Sequence, residues 1–468
     1  MPRGRLLAVA LLGLLVWLPG IDQAFRSDEV WSLHAVSMPW PAMMAELRGD
    51  VHPPLYYWLL RSWVAVMGAG EIAARLLSLA LSAAAAWTVW CTAREWFGER
   101  AGALAAAVYC CSLIALLAAQ FVRMYALLGL VSALSTMAFL RLSRQERVHT
   151  GTVALYVAAN IAGTLTHVWF FFLLFAQGCV FLAGGRRRRL PRMALCAAAS
   201  LAPYAAYWLP VLVLQIRKSS VALAWATRPS IADGAGAALL LCGVGWFVVP
   251  FVWKARGADV VRVRAWCCAL AAITILVPLA ISFWKPVFWA RFTITALPAL
   301  AVAIGSMGGE KGSAWREVAL LAAGLGLSAA LAATRSPCDS RMAARQLTKY
   351  ARQGDLVVFT NLSRPPVDYY WTAREAEERN FPRENEEHPG FDAPVPAEQL
   401  AREAQTIVDA VEQGRYRRIF LLHGFLPDKE RGLLERLNGR LERVEELCRR
   451  CEAMGSYYDR ISVYQARR

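Results

Sequence analysis

The sequence is poor in charge and histidine and has no repeated metal-binding spacing. Only 18% of its 468 residues are charged, six are histidine and 57% are hydrophobic, against about 45–50% apolar residues in ordinary soluble domains. Cys448 and Cys451 form a C-x-x-C pair without a second pair or a neighbouring histidine. A four-ligand zinc site is therefore not indicated, and with Cys338 we expect one disulfide and one free thiol.

Acidic residues are scarce in the first 334 residues, which carry 13 Asp and Glu against 28 Lys and Arg. Residues 335–468 carry nearly equal numbers of the two charges, with 22 Asp and Glu against 23 Lys and Arg. Of the net charge of +16, +15 therefore belongs to the apolar part of the chain. Cytoplasmic loops of membrane proteins collect Arg and Lys, so this excess predicts membrane topology and no nucleic-acid partner.

Long apolar runs predict a polytopic α-helical membrane protein, since about 17–22 apolar residues cross a bilayer as a helix. The run Leu6–Gly20 follows a basic start and fits a signal peptide or a retained first helix; we favour the helix, because no small-x-small cleavage site follows. Further spans are predicted at 73–91, 101–119, 124–141, 152–167, 168–184, 193–214, 233–253, 265–282, 291–307 and 316–334, eleven in total.

The basic loops predict an amino terminus in the cytoplasm and a C-terminal domain outside it, in the inner or plasma membrane. With eleven spans, the densest arginine loops, including Arg186–Arg189, all fall on the cytoplasmic side. Residues 25–72 then form the first outer loop. Residues 53–68 are predicted as an interfacial helix, because a span there would invert every later loop.

Residues 335–468 predict a small soluble α/β domain after the membrane part, 1–334. Strands are expected at Asp355–Thr360, Arg418–His423 and Ile461–Gln465, and helices at 366–379, 398–413 and 428–447.

Carboxylates and cations from several spans gather on the predicted outer face. Asp28, Glu29, Asp50 and His52 belong to the first loop, and Arg123, His167, Lys285 and Arg291 to later turns. Ionisable groups at a membrane surface are costly unless they have a function. This set suits a reaction that needs a base for a hydroxyl and cations for a phosphate.

The motifs resemble glycosyltransferase family 39 of the GT-C superfamily, with the protein O-mannosyltransferases and the bacterial aminoarabinose transferases of lipid A. They are Ser27-Asp28-Glu29, Asp50-Val-His-Pro-Pro-Leu-Tyr-Tyr57, Ala74-Arg75-Leu-Leu-Ser78, Arg123-Met-Tyr125, Thr166-His167 and Trp289-Ala-Arg291-Phe-Thr. The resemblance covers residues 20–300 in order, and the acidic pair with the His-Pro-Pro-Leu-Tyr-Tyr motif carries most of it.

The resemblance implies a GT-C fold and inverting transfer of a sugar from a polyprenyl-phosphate donor, on the non-cytoplasmic face, to a lipid, glycan or protein hydroxyl. It makes Asp28 the general base, with Glu29 beside it. The implied donor-phosphate or substrate contacts are Asp50, His52, Arg123, Tyr125, His167, Lys285 and Arg291.

Other roles stay open for several of these residues. Glu29 either orients Asp28 or pairs with Arg26, and His167 fits a structural hydrogen bond as well as a site role. We expect Tyr56 and Tyr57 to be packing or interfacial aromatics, and Arg75 to be a snorkelling side chain at a helix end. Lys285 fits a surface charge or a phosphate contact, and Asp50 and His52 also fit a helix start.

A divalent metal ion is undecided, with Asp28, Glu29, Asp50 and His52 as candidate ligands. The alternative function is a transporter or flippase for a lipid-linked or anionic substrate. That class would place ionisable groups and helix breaks in mid-span, whereas here the charges cluster at one face and the predicted spans are largely uninterrupted.

Overall fold

The computed structural model describes residues 11–49, 52–144, 149–185, 187–222, 258–285, 287–306, 322, 326, 329, 339–360, 363–383, 395–424, 427–447 and 461–467. The chain forms two compact units. The first comprises Met1–Ile21, Ala35–Ser219 and Ala226–Ala330, and the second comprises Asp22–His34, Ser220–Trp225 and Leu331–Arg468. The division of the chain at residue 334 stays a prediction.

Helices make up nearly all of the described chain before residue 310. They are α1 (residues 11–17), α2 (Ser27–Ser37), α3 (Trp40–Gly49), α4 (Leu55–Met67), α5 (Glu71–Phe97), α6 (Glu99–Cys111), α7 (Leu113–Ala119), α8 (Tyr125–Arg144), α9 (Thr150–Thr164), α10 (Phe170–Ala183), α11 (Leu190–Tyr207), α12 (Leu209–Ala222), α13 (Ala258–Ser282) and α14 (Leu297–Gly305). Short 3₁₀ helices cover Arg187–Arg189 and Ala290–Thr295.

The length and apolarity of these helices fit a multi-pass membrane protein. Helices α5, α8 and α13 are each long and apolar enough to cross a membrane, and counting the bent pairs α6–α7 and α11–α12 gives up to five such spans. The predicted span at 233–253 lies outside the described residues. The predicted span at 316–334 also lies outside them, except for residues 322, 326 and 329. The total of eleven stays a prediction.

Two predicted spans are broken helices. The chain bends by 67° between α6 and α7, where Ser112 is extended (φ −70°, ψ 132°). It bends by 64° between α11 and α12, because Pro210 lacks an N–H group and its ring clashes with the carbonyl four residues earlier. A single straight helix is therefore wrong for residues 101–119 and 193–214. The segment 291–307 likewise starts as the 3₁₀ helix before α14.

Close helix contacts and buried polar side chains stabilise the first unit. A Cβ added to Gly305 on α14 would lie 2.4 Å from Ala105 Cβ on α6, so the two backbones need glycine there. Across α8, α9 and α10, Ser135 Oγ donates to Asn160 Oδ1 at 2.6 Å and accepts from Gln177 Nε2 at 2.9 Å. Such hydrogen bonds hold apolar helices in one arrangement.

A mixed five-stranded sheet with helices on both faces forms the second unit after residue 339. Its strands are β1 (Leu356–Thr360), β2 (Glu377–Phe381), β3 (Arg418–Leu422), β4 (Leu441–Leu447) and β5 (Ile461–Ala466), in the order β2-β1-β3-β5-β4. Strands β2, β1 and β3 are parallel; β5 and β4 pair antiparallel, with a register shift between Arg443 and Glu445. The helices are α15 (Ser340–Tyr350), α16 (Arg364–Asp368), α17 (Ala397–Glu412) and α18 (Pro427–Arg440).

Alternate residues of β1 face the two halves of the core. Val357 and Phe359 pack against α15 and α16, and Leu356 and Val358 pack against α17 and α18. The structure confirms the predicted α/β character of residues 335–468, which we call the tail. It also confirms the three predicted strands and the helix at 398–413.

Two predicted helices of the tail are partly wrong. The segment 366–379 contains only the end of α16, and β2 begins at Glu377. The segment 428–447 is helical to Arg440 and then continues as β4. Its charged residues favour helix locally, but Leu441 and Leu447 are buried at the strand ends and β5 supplies backbone partners. Tertiary pairing overrides the local propensity.

A buried polar network joins α18 to the sheet. His423 Nδ1 contacts Glu430 Oε1 on α18, and its Nε2 lies 2.8 Å from Ser462 Oγ on β5. Thr360 Oγ1 lies 2.8 Å from Glu430 Oε2 and accepts from Gly424 N–H at 2.7 Å. All four side chains of this network are buried, and Ser462 is only 1% exposed. Buried polar groups that are hydrogen-bonded to one another stabilise the fold.

Candidate active site

Asp28 and Glu29 lie in the first turn of α2 but have different environments. Glu29 is fully buried, and its Oε2 accepts from Arg26 N–H at 3.0 Å, as a glutamate at the third helical position does in a capping box. Asp28 is partly exposed in the first turn of the helix. Glu29 therefore contacts the Arg26 backbone and fixes the helix start that carries Asp28.

Five predicted residues from separate segments of the first unit come together, and we call them the imidazole–arginine cluster. They are His52, Arg123, Tyr125, His167 and Arg291. The backbone brings two of these segments together, because Leu55 N–H donates to Leu165 O at 3.0 Å. The rings of His52 and His167 lie 5.4 Å apart, and those of Tyr125 and His167 lie 6.4 Å apart.

His167 lies between α9 and α10 and is 2% exposed. Its Nδ1 accepts from Trp169 N–H at 3.0 Å, so the neutral ring carries its proton on Nε2. Burial, followed by the charges of Arg123 and Arg291, lowers the pKa of His167 to about 3. Nε2–H is thus a buried, uncharged donor, and it has no hydrogen-bond partner among the described residues.

His52 precedes α4 and is also buried. Burial lowers the pKa of His52 well below its usual value, and Arg123, His167 and Arg291 lower it further. Within the described part of the chain its Nδ1 has no hydrogen-bond partner. Two neutral imidazoles beside two guanidinium groups form a surface suited to an anion that accepts hydrogen bonds.

The two arginines of the cluster are held in different ways. Arg123 lies in the tight turn between α7 and α8 and is 6% exposed. Its backbone N–H donates to Phe121 O at 2.7 Å, which closes the turn. Arg291 Nη1 lies 3.5 Å from Tyr125 OH, and its Cζ lies 4.8 Å from the Trp289 ring centroid. A guanidinium stacked on an aromatic ring keeps its direction.

Two aromatic side chains border the cluster: Phe292, which stands in the Trp289-Ala-Arg291-Phe-Thr motif, and Trp169, which no predicted motif includes. The Phe292 ring lies 4.6 Å from His167 and 4.9 Å from Trp169. Phe292 directly follows Arg291, and Trp169 stands two residues after His167, so closeness in sequence to a predicted site residue was the signal that could have found them.

The predicted snorkelling of Arg75 is wrong. Arg75 is 2% exposed and donates to Ile21 O at 2.9 Å. Tyr56 and Tyr57 are fully buried packing residues, as predicted.

The remaining predicted residues are placed differently. Lys285 is exposed just after α13, and Asp50 lies outside the described residues. Among the residues that the structure describes, no group of three His, Cys, Asp or Glu side chains is placed to hold a metal ion. One oxygen of Glu29 already accepts the Arg26 N–H. The candidate metal site thus stays a prediction that depends on Asp50.

Comparison with known proteins gives one family match and a common fold. Residues 51–213 match the family model for dolichyl-phosphate-mannose-protein mannosyltransferase. Crystal structures of ArnT from Cupriavidus metallidurans are similar in the apo state (TM-score 0.60, 14% identity, 99% of this chain and 98% of that chain) and bound to undecaprenyl phosphate (TM-score 0.59, 15% identity, 98% of each). A comparison with curated proteins finds no match.

The family match covers part of the sequence motifs and leaves out Asp28, Glu29 and Arg291. The matched segment contains His52, Arg123, Tyr125 and His167, four of the five residues of the cluster. At 14–15% identity the structural similarity establishes the fold alone. The family match and the common fold together confirm the resemblance of this chain to the GT-C glycosyltransferases.

Proposed function

We propose that this protein is a membrane glycosyltransferase that moves a sugar from a polyprenyl-phosphate donor to an acceptor hydroxyl. Transfer takes place on the extracytoplasmic face with inversion at the anomeric carbon. The family model is named for a dolichyl-phosphate sugar donor, and one similar structure binds undecaprenyl phosphate. Both are polyprenyl phosphates, which supports this class of donor.

The imidazole–arginine cluster is the observation that carries the proposal. When the bond between the anomeric carbon and the phosphate oxygen breaks, its electron pair stays on the phosphate, which leaves as an anion. The Nε2–H of His167 donates to a phosphate oxygen, and Arg123 and Arg291 stabilise the developing charge. Because both imidazoles are neutral, they act as hydrogen-bond partners and not as proton donors.

Asp28 supplies the other half of the reaction. As the acceptor oxygen bonds to the anomeric carbon, its proton moves to the Asp28 carboxylate, which lies at the start of α2. Attack on the side opposite the departing phosphate inverts the configuration. Glu29 holds the helix start through the Arg26 N–H.

A turnover assay that does not require the sugar to be known tests this proposal. The full-length protein in lipid nanodiscs is given a panel of undecaprenyl-phosphate-linked pentoses and hexoses with an envelope lipid extract, and released undecaprenyl phosphate is measured. Asp28→Asn keeps the side-chain volume and removes the base, so turnover should fall about 10²–10⁴-fold with folding unchanged. The matched control is Asp22→Asn, which changes an exposed carboxylate and should be silent.

Two results would contradict the proposal. One is near-normal release of undecaprenyl phosphate by Asp28→Asn. The other is movement of an intact donor across a sealed vesicle membrane with no release from any donor of the panel, which would indicate a flippase.

A further inference from the structure

The C-terminal part of the second unit holds the backbone that leads into α2. Residues 24–26 form no helix or strand, so their backbone groups need other partners. Phe25 N–H donates to Tyr370 OH at 2.8 Å, and Phe25 O accepts from Ser340 Oγ at 3.1 Å. Ala24 N–H lies 3.4 Å from Asp339 Oδ2. Both backbone groups of Phe25 are thus bound by side chains more than 300 positions away.

The side chains around Phe25 hold the same segment. Phe25 is fully buried, with its ring edge-to-face against Tyr369 at 5.3 Å and 89°. The Tyr370 ring lies under the Arg341 guanidinium at 5.6 Å, and Arg341 Nη2 donates to Asp22 O at 2.9 Å. Tyr370 is therefore fixed from two sides, and its hydroxyl offers a rigid acceptor to the Phe25 N–H.

Only Arg26 and Ser27 lie between Phe25 and Asp28. Arg26 N–H is bound to Glu29, and α2 begins at Ser27, so little conformational freedom separates Phe25 from the first helical turn. A shift or rotation of the backbone at Phe25 is transmitted to the Asp28 carboxylate.

We propose that Tyr370 and Ser340 are positioning residues for the general base. This rests on the proposed role of Asp28. The tail, through two hydroxyl groups, sets the direction in which the carboxylate points and so takes part in catalysis without contacting substrate. Misplacing a catalytic group by about 1 Å costs up to about 100-fold in rate, so loss of one hydroxyl should lower kcat about tenfold.

The test uses Tyr370→Phe and Ser340→Ala in the full-length protein in nanodiscs. Each removes one hydroxyl and keeps the rest of the side chain. The matched control is Tyr350→Phe in the same unit, whose ring contacts Lys349. We measure kcat and KM for the undecaprenyl-phosphate-sugar donor, the melting temperature, and amide hydrogen exchange in peptides spanning residues 22–34.

The expected result is a tenfold lower kcat, a donor KM within twofold of the original, an unchanged melting temperature and about fivefold faster exchange at 22–34. The control should change none of these, and Ser340→Thr, which restores a hydroxyl, should recover kcat. A kcat within twofold in both variants overturns the inference, as does a loss that merely follows the unfolded fraction. Turnover in Asp28→Asn would instead overturn the proposed function, whatever Tyr370→Phe does.

Discussion

Replacing His167 by asparagine or by glutamine separates the two hydrogen bonds that its ring can make. Asparagine places Oδ1 where Nδ1 lies and keeps the Trp169 N–H bound, but it loses the distal donor. Glutamine carries an N–H group near the position of Nε2 and loses the acceptor. The two variants therefore test substrate contact and local structure independently.

The magnitude follows from the hydrogen bond that is lost. A bond to a charged group is worth about 1.5–3 kcal/mol, and about 1.4 kcal/mol corresponds to tenfold, so His167→Asn should lower kcat/KM by about 10- to 150-fold. His167→Gln should keep more activity but lose about 1–3 kcal/mol of stability, because the buried Trp169 N–H loses its acceptor. Release of undecaprenyl phosphate and thermal unfolding are measured in parallel. Full activity in His167→Asn would refute the phosphate contact.

Three further predictions concern stability, each measured by thermal unfolding in detergent. Since folding lowers the pKa of His167 from 6.5 to about 3, the unfolded chain binds this proton first, and this ring alone should lower stability by about 1.4 kcal/mol per pH unit from 6.5 towards 3; the lowered pKa of His52 adds to the slope, so His167→Asn should reduce the slope and not abolish it. His423→Ala should cost about 1–3 kcal/mol, because the buried Glu430 Oε1 loses its contact with His423 Nδ1 while Oε2 keeps Thr360, and an unchanged melting temperature would contradict this. Gly305→Ala should cost about 1–3 kcal/mol, whereas Gly178→Ala, with open space at its Cβ, should be neutral; equal effects would count against the packing.

The sequence predicts most of the cluster because its members stand in motifs with chemical meaning. His52, Arg123, His167 and Arg291 all fall in predicted outer turns, and the structure brings them together. The hydrogen bond from Arg26 N–H to Glu29 is also local, since a glutamate three residues after a helix start is a readable signal.

Features that depend on distant partners could not be predicted in this way. The charged segment of β4 favours a helix by local propensity, and it forms a strand because β5 supplies backbone hydrogen-bond partners. Nothing in the sequence near Phe25 indicates that Tyr370 binds the Phe25 N–H. Proline marks the break between α11 and α12, but Ser112 carries no comparable signal for the bend between α6 and α7.

Strand β4 has a consequence for how copies of the protein behave in a crowded membrane. It lies at one edge of the sheet; four of its seven residues are charged, and its register shifts midway. Neighbouring molecules in a bilayer meet often, and an uncharged, regular edge strand would pair with the edge strand of another copy. Repulsion and irregular backbone spacing along β4 oppose such aggregation.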